Sequence, residues 1–311
     1  MNTPSLTSVG LGKSFGSFVA VQGLDLKVEG AKCVGFLGPN GAGKTTTLKM
    51  FADMIFPSRG EAFINGISVR KDRKHALSHA GVLIESPEIY PSLTPKEALS
   101  MLCEIRGVPR QDRNKRIDDA LARVKMSEWA DKKVGGFSKG MKQRVNVAST
   151  LLSDPEVIIL DEPSSGLDPR GMSEVRDIVL SLRDRLVFMS SHLLAEVTEV
   201  CQEVALIDHG KLLVYDTIEN VTAKFAGGGG AAEVGFAGNV DEQLRARVSK
   251  LPGVTSTTKS NDRHLIVKYD TAVLTQDKLL ESVAGLKAGA ITFSQASGLE
   301  DAYLSLIKET L

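Results

Sequence analysis

A chain of 311 residues, 42% hydrophobic and 24% charged, has the length for two domains and the composition of a globular protein with a sizeable core. Lysine plus arginine and aspartate plus glutamate each number 38, so the formal net charge is zero and the basic footprint of a nucleic-acid binder is missing. The three cysteines, Cys33, Cys103 and Cys201, are far apart in sequence without metal-ligand spacing, which argues against a disulfide framework and for a reducing cytoplasm.

The N-terminal stretch MNTPSLTSVG has no basic region leading into an apolar run, so no signal peptide is expected. No window reaches 18 consecutive apolar residues, so any membrane role requires a partner. Residues 17–37 read as short strands, FVAVQGLDLKV and then the apolar run CVGFLG, a buried central strand ending in glycine. A glycine-rich turn follows, then KTTTLKMFADMI with Leu48, Phe51 and Ile55 at helical spacing. EAFINGISV reads as a hairpin about Asn65-Gly66. From about 94 to 150 the pattern is helical, with one stripe at Leu99, Leu102 and Ile105 and another at Ile117, Leu121 and Val124. The charges on this stretch, Arg110, Arg113, Lys115, Arg116 and Arg123 among Asp112, Asp118 and Asp119, suit a solvated face. VIILDE (157–162) and LVFMSS (186–191) are further buried strands, and VALIDHGKLLVYD is a strand pair turning at His209-Gly210. The expectation is an α/β core carrying an inserted helical lobe, within a domain spanning 1–225.

AGGGGAA (226–232) reads as a linker, because four successive glycines carry too much backbone freedom for a regular element. Residues 233–311 then form an accessory domain. Strand 232–237, helix 239–251, strands near 254–259 and 264–269, helix 275–287, strand 290–295 and helix 298–310 suggest a small ferredoxin-like or related α+β domain. This half shows no catalytic constellation. His264 stands alone, GLEDAYLSLI (298–307) reads as an amphipathic helix packing on the domain, and regulation or dimer support is the expected role.

GPNGAGKTT (38–46) fits G-x-x-x-x-G-K-[ST] between an expected strand and an expected helix, the setting in which this motif binds polyphosphate. Gly38, Gly41 and Gly43 let the backbone of Pro39, Asn40, Ala42 and their neighbours turn its N–H groups toward phosphate oxygens. Lys44 can bridge the terminal phosphates, Thr45 can place its hydroxyl on Mg²⁺, and Thr46 continues the helix N-terminus. A second half of the same site comes from VIILDEP. Asp161 is assigned to Mg²⁺ and Glu162 to the general base, since a carboxylate committed to a metal is a poor proton acceptor. SSGLDP (164–169), with Asp168, follows as a turn. FMSSH places His192 where strand carboxyl ends collect, able to bond the γ-phosphate or orient the attacking water. FSKGMKQR opens a helix with Ser138 and Gly140, a start that serves either as a cap or as an anion site.

Together these segments resemble the ATPase subunits of ATP-binding cassette (ABC) transporters over roughly residues 5–220. GPNGAGKTT is similar to the family's Walker A, FSKGMKQR to its signature motif, VIILDE to Walker B, SGLDP to the D-loop and SSH to the switch histidine, all in family order. The resemblance implies a P-loop NTPase core of ABC type, binding ATP and Mg²⁺. It implies a head-to-tail dimer, expected to be of two identical chains, in which Ser138 and Gly140 face the γ-phosphate held by the partner. It also implies a separate multi-span permease, a place at the cytoplasmic face of the membrane, and no nucleic-acid partner. KSFGSFVAV is similar to the segment whose aromatic ring stacks on adenine, with Phe15 in that position and Phe18 as the alternative. GVLIESPEIYPSLT aligns with the region that usually carries a glutamine on Mg²⁺, and here Glu85 stands in its place, a carboxylate able to reach the metal directly or through water. LIESPEIYPSLT and SKGMKQR together resemble bacitracin- and daunorubicin-type exporters. A soluble ABC ATPase serving translation, DNA or cofactor assembly is the competing expectation.

Overall fold

The computed structural model describes residues 3–85, 87–225 and 229–295, and the chain divides into two compact units, the first ending at Thr217 and the second beginning at Ile218.

In the first unit β1 (Ser5–Phe15) and β2 (Phe18–Glu29) make a long antiparallel hairpin, and β3 (Lys32–Leu37) leads through the glycine-rich loop into α1 (Lys44–Phe51). β1 was not legible in the sequence. Its glycines at 10 and 12 break the alternation, and its pairing with β2 shifts register between Ser8 and Leu11 and again at Gly12. The helix read through Ile55 stops at Phe51, because Asp53 turns into the left-handed region at φ 52°, although Ile55 still packs on the core.

β4 (Arg59–Ile64) and β5 (Ile67–Ser68) form the hairpin at Asn65-Gly66, whose φ values of 50° and 74° are those of a type I′ turn. α2 (Arg73–Ser78) and β6 (Ala80–Leu83) follow. The helical lobe contains α3 (Pro95–Ile105), α4 (Arg110–Arg123) and α5 (Lys139–Leu151). α3 begins on a capping box in which Thr94 and Glu97 each accept from the other's backbone N–H. Its buried face is Pro95, Ala98, Leu99 and Cys103, so the stripe expected through Leu102 and Ile105 is displaced, with Ile105 79% exposed. Ile117, Leu121 and Val124 are all buried.

The unit closes with β7 (Val157–Asp161), α6 (Pro169–Ser181), β8 (Leu186–Ser191), α7 (Leu194–Val200), β9 (Glu203–Asp208) and β10 (Lys211–Thr217). Two sheets result, a four-stranded β2-β1-β4-β5 and a six-stranded β10-β9-β3-β8-β7-β6. β3 runs parallel to β8 and β9, and β7 parallel to β6 and β8. Continuous apolar runs such as VIIL and LVFM suit these central strands, which are buried on both faces. Parallel order places the ends of β3, β7 and β8 at one edge of the sheet, where Asp161 ends β7 and Gly38 and His192 follow β3 and β8. Folding also brings two of the separated cysteines together. Cys33 Sγ and Cys201 Sγ lie 3.4 Å apart as buried free thiols, and Cys33 together with burial pushes the Cys201 thiol up.

The second unit contains α8 (Ile218–Phe225), β11 (Gly229–Phe236), α9 (Glu242–Ser249), β12 (Val254–Asn261), β13 (His264–Asp270), α10 (Gln276–Gly285) and β14 (Ala290–Gln295). The antiparallel sheet has the order β12-β13-β11-β14, the split β-α-β arrangement. Alternate residues Val234 and Phe236 of β11 and Leu265 and Val267 of β13 are buried in one cluster with Val248 of α9 and Leu279 and Val283 of α10. The segment read as a linker up to 232 is strand from Gly229 onward. Pairing with β13 supplies the backbone bonds that offset glycine's freedom, and a Cβ at Gly230 would lie 2.3 Å from the Tyr269 ring. The helix expected at 298–310 lies outside the described residues.

Candidate functional site

The loop between β3 and α1 is built for close backbone approach. Gly43, the N-cap of α1, has φ 103°, and a Cβ there would come within 2.5 Å of the Ala20 carbonyl oxygen. The Ala42 carbonyl accepts from Gly210 N–H at 2.9 Å, which ties the loop to the β9–β10 turn. The Lys44 ammonium is 5% exposed and donates to the Gly38 and Pro39 carbonyls at 2.8 and 3.1 Å. These contacts leave the cation inside its own loop.

The acids come from β7. Asp161 Oδ1 accepts a 2.6 Å bond from the Ser190 hydroxyl, and the same oxygen of Ser190 accepts the Glu162 N–H at 2.9 Å. Glu162 leaves the strand at φ 44°, a left-handed turn that separates its side chain from that of Asp161. One Glu162 oxygen lies 3.3 Å from Lys44 Nζ and the other 3.0 Å from His192 Nδ1. Cation, carboxylate and imidazole thus converge from three strand ends. Ser191 holds the histidine's loop, donating to the buried Glu196 carboxylate at 2.6 Å and accepting the Leu193 N–H at 3.0 Å.

A cleft of about 220 Å³ lies over the loop. Phe18 and Ala20 of β2 form one wall, Asn40, Gly41, Gly43 and Lys44 to Thr46 the floor, and Glu162 the far side. Of the two phenylalanines expected at an aromatic platform, Phe18 lines this cleft. Phe15 pairs with it across the hairpin end, half exposed, with Lys13 Nζ 5.0 Å from its ring centre. Glu85 goes elsewhere: its carboxylate, 68% exposed, pairs with Lys49 Nζ at 2.5 Å on the α1 turn after Thr45.

Ser138 caps α5, accepting the Met141 N–H at 3.2 Å, and Asp168 caps α6, accepting the Gly171 N–H at 3.0 Å. The two helix starts abut, since a Cβ built on Gly140 would meet Gly171 Cα at 3.4 Å. Neither Ser138, Gly140 nor Asp168 lines the cleft over its own phosphate loop. One residue of the site is not legible in the sequence: Ser190, because a serine in LVFMSS signals only strand.

The donor set fits a magnesium nucleotide. The glycine-rich turn offers main-chain N–H groups, Lys44 a cation, and Thr45 and Asp161 the hard oxygens that Mg²⁺ prefers.

The ABC transporter family profile matches residues 21–165. The bacitracin transport ATP-binding protein BcrA of Bacillus licheniformis is 41% identical over 206 residues, 65% of this chain and 66% of that protein, just under two thirds of its length. The ABC transporter ATP-binding protein NatA of Bacillus subtilis is 35% identical over 205 residues, 65% of this chain and 83% of that one. Among solved structures, cbiO1 from Clostridium perfringens, described as part of the ABC transporter complex cbiONQ, superposes with a TM-score of 0.64 at 25% identity, over 70% of this chain and 90% of that one.

Proposed function

The chain belongs to the ABC transporter family, whose nucleotide-binding subunits are ATPases, and on that premise we propose that it hydrolyses ATP to drive a separate membrane permease, in the export direction. Among the described residues no helix is long and apolar enough to cross a membrane, so transport by this reading needs that second chain. Likeness to the bacitracin transport protein supports transport of a substrate selected by the permease, and likeness to a Nod factor export ATP-binding protein supports the export direction.

The observation that carries the chemistry is the Glu162 carboxylate held between Lys44 and His192 at the rim of the phosphate loop. Glu162 takes the proton of the attacking water, and His192 orients that carboxylate through Nδ1. Lys44 supplies positive charge where the terminal phosphate gathers negative charge. Thr45 and Asp161 would hold Mg²⁺, which would offset the negative charge on the phosphate oxygens. Phe18, with Phe15 beside it, offers the adenine a π-face.

Ser138, Gly140 and Asp168 act on a second copy. Their paired helix starts present N–H groups and dipoles to an anion, yet they do not line their own chain's cleft, which supports head-to-tail pairing. Mixing differently tagged Lys44→Ala and Ser138→Arg chains tests this. Each variant alone is expected to be inactive, and the mixture to regain about a quarter of wild-type ATPase activity, since random pairing makes half the dimers mixed and each mixed dimer has one intact site. A fully active Ser138→Arg protein would sink pairing in trans while leaving the ATPase assignment standing. Capture of the tagged protein from its native membrane is expected to bring down a multi-span partner, and recovery of a ribosome or DNA complex instead would overturn the transport reading.

A further inference from the structure

Two of the five histidines, His75 and His79, fall four residues apart on α2 and its C-cap, so they share one face of a short helix. Their ring centres are 5.3 Å apart. Each ring turns its Nδ1 toward a carboxylate, His75 to Asp72 Oδ2 at 3.3 Å and His79 to Glu156 Oε2 at 3.5 Å. The backbone beneath is held as well. Asp72 is the N-cap of α2, and the His79 carbonyl accepts the N–H groups of Glu156 and Val157 at 3.1 Å each. Asn65 donates a side-chain hydrogen bond to Glu156.

A carboxylate on Nδ1 holds the proton there and leaves the Nε2 lone pair free to bind a metal. Two Nε2 atoms at about 2.0–2.1 Å from one ion set the ring centres roughly 5 Å apart, matching the observed spacing. We propose that His75 and His79 form an open site for a divalent transition-metal ion, with Asp72 and Glu156 as positioning residues and water completing the coordination. Imidazole nitrogen selects Zn²⁺, Cu²⁺ or Ni²⁺ over Mg²⁺ or Ca²⁺. Among the described residues no group of three or more His, Cys, Asp or Glu side chains is arranged to hold a metal, so the site is a two-ligand clamp rather than a closed cage. It is separate from the nucleotide site. His79 and Glu156 immediately precede β6 and β7, at the end of the parallel sheet opposite Asp161 and the phosphate loop.

The test is titration of the tag-free full-length protein with Cu²⁺, followed by electron paramagnetic resonance, and with Zn²⁺, followed by calorimetry, both without nucleotide. One equivalent with two nitrogen ligands is expected. His75→Gln and His79→Gln should each weaken it by about tenfold or more and leave one nitrogen, while Asp72→Asn and Glu156→Gln weaken it by about 10- to 100-fold with both nitrogens retained. His209→Ala should leave it unchanged, and circular dichroism checks that each variant is folded. Binding that survives His75→Gln intact, that is lost with His192→Ala instead, or that is absent from the wild type overturns the proposal.

Discussion

At the scale of single residues, the site turns on one hydroxyl. Ser190 donates to Asp161 and accepts from the Glu162 backbone, so it fixes the carboxylate proposed to hold the metal relative to the proposed base. Ser190→Ala leaves the buried Asp161 oxygen and the Glu162 N–H without this partner, a loss of about 1–3 kcal/mol where such groups stay buried. We expect ATPase activity to fall by roughly tenfold or more, with the Mg²⁺ concentration for half-maximal rate raised, because the carboxylate is no longer aimed. Steady-state rates across a Mg²⁺ series check this. An unchanged Mg²⁺ dependence would show that the hydroxyl is only packing. The phosphate loop, the acid pair and the histidine were legible because each motif is contiguous. Ser190 was not, because its role exists only once β8 lies beside β7.

At the scale of elements, two helices depend on contacts that bracket the signature segment. A Cβ at Gly171 would lie 2.8 Å from Asp168 Oδ1, the oxygen that caps α6, whereas one at Gly140 meets its nearest neighbour at 3.4 Å. Gly171→Ala therefore displaces the cap and should cost about 1 kcal/mol in urea denaturation, whereas Gly140→Ala, at ordinary contact distance in a helix, should not destabilise. On the far side of the lobe, Asp154 joins Arg116 of α4 at 2.9 Å and Arg185 before β8 at 2.6 Å. Hydrogen bonds from Arg116 and Arg185 hold its carboxyl below the usual range. A folded-state pKa below the unfolded one means stability that is present above the unfolded carboxyl range, about pH 3.9, and is lost as pH falls through the folded value. Asp154→Asn should lower the melting temperature at pH 7, by the equivalent of at most about 1 kcal/mol for so exposed a pair. The gap from wild type should close below about pH 4, and a gap that is constant with pH would exclude the ion pairs as its source.

At the scale of the whole molecule, hydrolysis and assembly are coupled if each chain completes its partner's site. Glu162→Gln keeps the size of the side chain and one of its acceptor oxygens but removes the proposed proton acceptor, so turnover should drop by about 100-fold or more while ATP binding persists. Light scattering should then show a stable dimer with ATP and a monomer with ADP. A variant that stays monomeric in excess ATP would separate catalysis from pairing. The second unit has its own sheet and core, so changes to its buried residues, such as Phe236 or Leu279, are expected to act through that unit's stability rather than through the phosphate loop.

The amino-acid order alone determined what depends on near neighbours along the chain. Apolar runs specify buried parallel strands, glycines at set intervals specify a loop that can wrap phosphate, and a Thr-Pro-x-Glu start specifies α3. Only the tertiary structure decided what depends on residues far apart in sequence. Examples are the Glu162 carboxylate shared by Lys44 and His192, the pairing of Glu85 with Lys49, the conversion of glycines 229 and 230 into strand, and the histidine pair backed by Glu156. The physical reason is range. Backbone propensity and side-chain spacing act over a few residues, whereas these contacts require strands and helices to be packed before the groups can meet.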